Sequence, residues 1–472
     1  MLFNSIEFLL FLPTVFILYW FVFNKNFKVQ NSLILVSSYV FYSWWDFRFL
    51  SLIFLSTIVD YIIGLNIPKQ DSDKNQKLLL WGSVLFNLTV LGFFKYYNFF
   101  IDSWVDLFTF IGYEIKSVWT LNIILPVGIS FYTFQTMSYT LDIYRKKIEP
   151  TKDFISFASF VSFFPQLVAG PIERASNLLP QILKKRDFHF EQGVQGLRLI
   201  LWGMFKKVII ADSLAPIVDN IFSNYTDFGG GILLLGAIYF AFQIYCDFSG
   251  YSDIAIGTSK LFGFELMSNF KFPYFSRNIG EFWRRWHISL STWFRDYLYI
   301  SLGGSQEGKW KSIRNIFIIF LVSGFWHGAN WTFIFWGLFH SILFIPSFIF
   351  NTNRKYTTSI IGEKTLFPAP IECLQIITTF LLVTVGWVFF RSETIFDSFN
   401  YLYQMIFDFE FPKYMRSKMA LIFFLILVDY LIRKNERLEK LTSPFEWILY
   451  SILILILFEN MSSHSSFIYF QF

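Results

Sequence analysis

Apolar residues in this chain come in long runs separated by short polar breaks. The first run, 6–23, is 18 residues long and as a helix would reach about 27 Å, close to the thickness of a bilayer's hydrocarbon core. It has no basic segment before it and no small-residue cleavage site after it, so it reads as a first transmembrane helix and not as a cleaved signal. Further runs near 31–45, 49–67, 78–94, 121–142, 193–214, 230–247, 313–330, 332–350, 371–390, 419–432 and 445–460 predict roughly a dozen crossings. The polar breaks set the orientation, because basic loops stay in the cytoplasm. Lys25 and Lys28 follow the first run, the break around Asp46 and Arg48 is neutral, and the next, with Lys69, Lys74 and Lys77, is basic again.

Two apolar stretches break this alternation. Residues 154–170 lie between Arg145, Lys146 and Lys147 on one side and Arg174, Lys184, Lys185 and Arg186 on the other, and they contain Pro165 and Gly170. Residues 281–303 are bracketed in the same way by Lys271, Arg277, Arg284 and Arg285 and by Lys309, Lys311 and Arg314. With both flanks held in the cytoplasm, each stretch reads as re-entrant, a form tolerated only against protein or a water-filled cavity. The outward loop 219–227 has no Lys or Arg.

Composition agrees with lipid as solvent. Of 472 residues, 54% are hydrophobic and only 15% charged, where soluble chains carry about 25% charged. Phenylalanine alone fills 65 positions. The net charge of +5 is spread over short loop clusters and gives no reason to invoke nucleic acid. Cys246 and Cys373 have no CxxC spacing, and the five histidines form no metal-ligand pattern, so no metal is expected. GxSxG, P-loop, HExxH and GxGxxG motifs are absent. Without linkers or repeats, 1–472 reads as one integral domain: an all-α polytopic membrane protein with roughly a dozen transmembrane helices and re-entrant or interfacial segments.

In such a chain the informative side chains are the polar ones at membrane depth. Three clusters qualify. In 281–297, EFWRRWHISLSTWFRDY, helical spacing puts Trp283, Trp286, Leu290, Trp293 and Tyr297 on one stripe and Arg284, His287, Ser291 and Arg295 on another. Such a helix could lie at the interface with its arginines on lipid phosphate, or it could rim a pocket for a phosphorylated ligand, which the planar guanidinium suits. In 323–331, SGFWHGANW, His327 sits between Gly324 and Gly328 within a block, 316–350, that has no formal charge. Its imidazole is either a structural hydrogen-bonding group or a proton-transfer group at neutral pH. Gly324 and Gly328 leave room for a backbone or a substrate. His340 falls on the opposite helical face and reads as structural, while His189 and His464 read as loop or interface residues. In 245–253, YCDFSGYSD, Asp247 and Asp253 could orient a histidine, pair with an arginine of the first cluster, or cap a helix break.

The run 282–299 with the Leu302-Gly303-Gly304 that follows it resembles the signature of membrane-bound O-acyltransferases, and more narrowly their bacterial alginate O-acetylation branch. MLFNS at 1–5, LPVGISFYTFQ at 125–135, FPQLVAGPIER at 164–174 and FIYFQF at 467–472 match that branch in order, so the resemblance covers essentially the whole chain. Ser301 departs from it, standing where the branch has proline. The resemblance implies helices around a central tunnel, His327 of the Trp-His-Gly motif as the catalytic residue, and His287 as the second histidine. It also implies acetyl-CoA or another acyl thioester as a donor substrate from the cytosol, with no bound cofactor. On this reading Arg284, Arg285 and Arg295 meet the donor's phosphates, and His287 or Asn330 hydrogen-bonds the thioester carbonyl. Trp326 and Asp247 complete the substrate-binding set. The implied acceptor is an exported, alginate-like polysaccharide, acetylated directly or through an extracytoplasmic partner transferase, at the bacterial inner membrane. Peptidoglycan or teichoic acid as acceptor remains open. A transporter without chemistry is a further alternative, although the internal repeats expected of one are not found.

Overall fold

The computed structural model describes residues 1–113, 120–121, 123–168, 170–362, 367–438, 446–460 and 467–468. Their regular structure is helical, with no strand among the described residues. Five helices are long and apolar enough to cross a membrane: Phe47–Lys69, Asp73–Phe110, Gly230–Leu261, Trp331–Ile349 and Pro370–Arg391. Shorter apolar helices cover Ile6–Val22, Phe154–Leu167, Met419–Ile432 and Tyr450–Asn460. Several of the other expected runs form helices with charges or amides in their first turns, as in Phe27–Ser43 with Lys28, Gln30 and Asn31, and Lys309–His327 with Lys311 and Arg314.

The chain folds as two compact units. The first comprises Met1–His189 with Phe262–Leu266 and Gly328–Asn330; the second comprises Phe190–Leu261, Met267–His327 and Trp331–Phe472.

Polar groups tie the first unit together, as expected where lipid tails are as apolar as the side chains and burial gives helices little reason to associate. The buried Asp60 carboxylate accepts hydrogen bonds from Ser83 and Asn87, and Asn87 Oδ1 accepts from Ser56 and Thr136. Arg186 donates to Tyr19 Oη, Asn31 Oδ1 and the Ile182 carbonyl and lies 5.1 Å from the Phe264 ring. The stretch 154–170 forms the separate helices Phe154–Val161 and Phe164–Leu167. The longer has 8 residues and reaches about 12 Å, too short to span.

The second unit is organised on Gly230–Leu261, nearly all of it buried. Phe190–Met204 packs antiparallel to it at backbone contact. A methyl on Gly196 would fall 2.6 Å from the Gly257 carbonyl oxygen, and one on Gly203 would fall 2.5 Å from that of Gly250. Only glycine allows so close an approach. A π-helical turn, Phe205–Ala211, follows and carries Lys206 and Lys207 into the interior. Lys206 pairs with Asp253 at 2.6 Å, and Lys207 pairs with Asp247 at 2.6 Å and Asp212 at 2.8 Å. Asp247 also accepts the Ile468 backbone N–H at 2.7 Å.

Ion pairs sort the loops of this unit into two sets. Arg277 meets Glu372 and Lys271 meets Glu436; at the other end of Pro370–Arg391, Arg391 meets Asp219, and Tyr225 donates to Asp397. That helix, 22 residues and about 33 Å long, separates the two sets.

Candidate active site

The run 281–297 is not one helix. It forms Ile279–Arg285, then Ile288–Trp293, then a π-helical turn Phe294–Tyr299. The break falls at His287, whose backbone is left-handed with φ 43°. A left-handed residue reverses the side-chain register, which side-chain periodicity cannot reveal. Asn269 holds the break: its carbonyl accepts from the Ile288 N–H at 2.9 Å, its side-chain oxygen accepts from Ser289 Oγ at 2.6 Å, and its amide donates to Ser252. Trp286 and His287 are each 1% exposed, and the His287 ring meets the Phe248 ring edge-on at 4.7 Å.

The break separates the expected cationic stripe. Arg284 and Arg285 lie before it and His287, Ser291 and Arg295 after it. Arg284 donates to the carbonyls of Asn353 and Tyr356, while Arg285 pairs with the buried Glu281 at 2.8 Å. Both line a cavity different from the one that holds the histidines.

His327 ends Lys309–His327, which packs against Trp331–Ile349 through two glycines. A methyl on Gly324 would run into the Phe333 carbonyl, and one on Gly337 into the Phe320 carbonyl. The room at Gly324 is therefore taken by the neighbouring helix backbone. This close packing brings Trp336 to 5.1 Å from the His327 ring, with Trp326 at 5.0 Å and Phe390 at 5.4 Å.

The two imidazoles, 40 positions apart in sequence, come together with ring centroids 6.4 Å apart. Both line one cavity of about 280 Å³. Along Lys309–His327 its wall is Ile316, Ile319, Phe320, Ser323 and His327, which fall on one helical face. From Ile316 to His327 this face runs about 16 Å. Leu290 and Phe294 line it as well, and its wall also includes Arg295 and Arg354. The exposed Arg295 pairs with Asp296 at 2.7 Å. The result is a narrow, mostly apolar shaft with histidines at one end of its helical wall and exposed guanidinium groups among its lining.

Of the other expected site residues, Trp326 is buried beside both histidines, its ring 5.9 Å from His287. Asn330 lies in Gly328–Asn330, which groups with the first unit. Among the described residues Asp247 meets neither a histidine nor an arginine; it pairs with Lys207 of the π-helical turn and accepts the Ile468 backbone N–H. His340 is fully buried, stacked near-parallel on Phe282 and edge-on to Trp283 and Trp336, consistent with a packing role. His189 is exposed, and His464 lies outside the described residues. Sequence reasoning missed Arg354 in the shaft, and Arg433, Lys434 and Arg437 in the second cavity. The basic run after the apolar stretch 419–432 is the signal that could have found the last three.

Residues 89–358 match the profile of the membrane-bound O-acyltransferase family. The chain is 44% identical to a probable alginate O-acetylase of Azotobacter vinelandii, covering 84% of this chain and 76% of that one. It is 38% identical to the corresponding Pseudomonas putida protein over 100% of both chains. It is 35% identical to a peptidoglycan O-acetyltransferase of Helicobacter pylori, covering 86% of this chain and 80% of that protein.

Proposed function

The chain belongs to the membrane-bound O-acyltransferase family and is an O-acyltransferase, and on that premise we propose that it moves acetyl groups from cytosolic acetyl-CoA to hydroxyls of an exported polysaccharide. The observation that carries this reading is the histidine pair: two imidazoles 6.4 Å apart in a shaft that also has exposed arginines in its lining. The thioester arm enters past Arg295 and Arg354, at the loop end that the basic residues assign to the cytoplasm, and its acetyl group comes to rest between His287 and His327.

The acceptor hydroxyl comes from outside, through the outer half of a tunnel in a body of roughly a dozen crossings in the bacterial inner membrane. His327 takes the hydroxyl proton as the oxygen attacks the thioester carbonyl carbon. An N–H of His287 hydrogen-bonds the oxyanion of the tetrahedral intermediate. Collapse breaks the carbon–sulfur bond, and the thiolate recovers the proton from His327. The products are the acetyl ester and CoA, and the imidazole returns to its starting state. Trp326 packs against both rings and Trp336 against His327, and this apolar surround keeps out water that would otherwise hydrolyse the thioester.

Relatives named for alginate and for peptidoglycan both align over most of the chain, which supports a polysaccharide acceptor. The higher identity to the first favours an alginate-like polymer, reached directly or through an extracytoplasmic transferase. The test supplies nanodisc-embedded protein with acetyl-labelled acetyl-CoA or acetyl phosphate, together with mannuronate oligomers and a membrane extract. Label should reach the sugar as an alkali-labile ester from acetyl-CoA alone. Uptake of oligomer into proteoliposomes without thioester consumption would replace the reading with transport.

A further inference from the structure

A second cavity of the same unit, about 480 Å³, is walled by Lys271, Arg284, Arg285, Arg433, Lys434 and Arg437, with Glu436 as the one carboxylate among its lining residues. We infer that this cavity is a binding site for a phosphate-bearing anion. Six cations drawn from three separate chain segments line one concavity; Glu436 pairs with Lys271 and Glu281 with Arg285, and with basic residues still outnumbering carboxylates in the lining the cavity favours an anion of high charge density.

The guanidinium groups are fixed in place. Arg284 is held by the carbonyls of Asn353 and Tyr356, and Arg285 by Glu281 and the Ser359 carbonyl. Arg433 donates to the carbonyls of Tyr430, Ile361 and Gly362. These contacts take three of the five N–H groups of Arg433 and fix the guanidinium in the cavity wall. Tyr356, Thr357 and Thr358 add hydroxyls to the lining. The loop that carries them also supplies Asn353 and Arg354 to the histidine shaft, so one short segment divides the two cavities. Polyphosphate and phosphate monoester groups match this set in charge and in number of acceptors. They could belong to a soluble ligand or to the headgroup of an anionic phospholipid at the cytoplasmic surface.

The experiment has two arms and reads binding, so it is independent of acyl transfer. In the first, the full chain in phosphatidylcholine nanodiscs is titrated with labelled inorganic pyrophosphate at low salt. In the second, the chain is purified from bicelles containing phosphatidylglycerol and retained lipid is counted by native mass spectrometry. The exposed Lys434→Glu should weaken binding about tenfold or more, and Glu436→Gln, which removes the opposing charge, should strengthen it. Lys311→Gln, at an exposed i,i+4 pair with Glu307 away from the cavity, should change nothing. Pyrophosphate binding with this pattern assigns a soluble phosphate; phosphatidylglycerol retention alone, with the same pattern, assigns a headgroup. No binding in either arm, or binding that Lys434→Glu and Glu436→Gln shift in the same direction, overturns the inference.

Discussion

Lys207 and His327 are both almost fully buried in the second unit, 1% and 4% exposed, and their surroundings differ in kind. Lys207 meets two carboxylates within 3 Å, and one of these, Asp247, also accepts a backbone N–H. Its charge is answered by fixed protein groups, and the arrangement locks the π-helical turn to Gly230–Leu261. His327 is surrounded by the rings of Trp326, Trp336 and Phe390 and faces a cavity shared with His287. An expensive side chain in a membrane protein therefore marks function only when it faces a space that a ligand can enter. When fixed counter-charges surround it, it is a structural clamp.

The sharpest way to break this comparison is Lys207→Met. Removing the cation leaves Asp212 and Asp247 buried without it, and losing one partner of a buried pair costs about 3–5 kcal/mol. The thermal unfolding midpoint in detergent should fall by many degrees, and whatever protein remains folded should keep its turnover per molecule. Gly324→Ala comes next. Its methyl would push on the Phe333 carbonyl, and relieving such overpacking costs about 1–3 kcal/mol. The same shift displaces Trp336 from His327, so this variant should lose both stability and turnover, which Lys207→Met should not. Arg295→Gln is the mildest. An exposed ion-pairing residue is worth no more than about 1 kcal/mol, so KM for the donor should rise up to about fivefold, with kcat and the unfolding midpoint unchanged. A drop in kcat instead would place Arg295 at the chemistry and not at the entrance.

Much of this was legible in the sequence, and the exceptions have physical causes. Long apolar runs announced helices in lipid, and the double basic flanks picked out 154–170, whose helices are too short to cross. His327 stood out from its uncharged block, and the family resemblance added His287 as the second histidine. What periodicity could not show was the left-handed turn at His287, since the tryptophan stripe continues through it at helical spacing. That single backbone angle sends Arg284 and Arg285 to a different cavity from Arg295. The ion-pair partner of Asp247 was equally hidden: Lys207 is 40 positions away, in a π-helical turn that periodicity does not reveal. Among the described residues five helices meet the length and hydropathy of a span, fewer than the expected dozen, and four shorter apolar helices account for other runs.

The most direct measurement of the central claim is single-turnover release of CoA from acetyl-CoA by the nanodisc-embedded chain, comparing wild type, His327→Ala and His287→Ala, with donor binding measured in parallel. The account predicts that His327→Ala binds the donor as wild type does and releases CoA about 10²–10⁴-fold more slowly. His287→Ala should slow release by a smaller factor, also with donor binding intact. Release by His327→Ala at the wild-type rate would contradict the account.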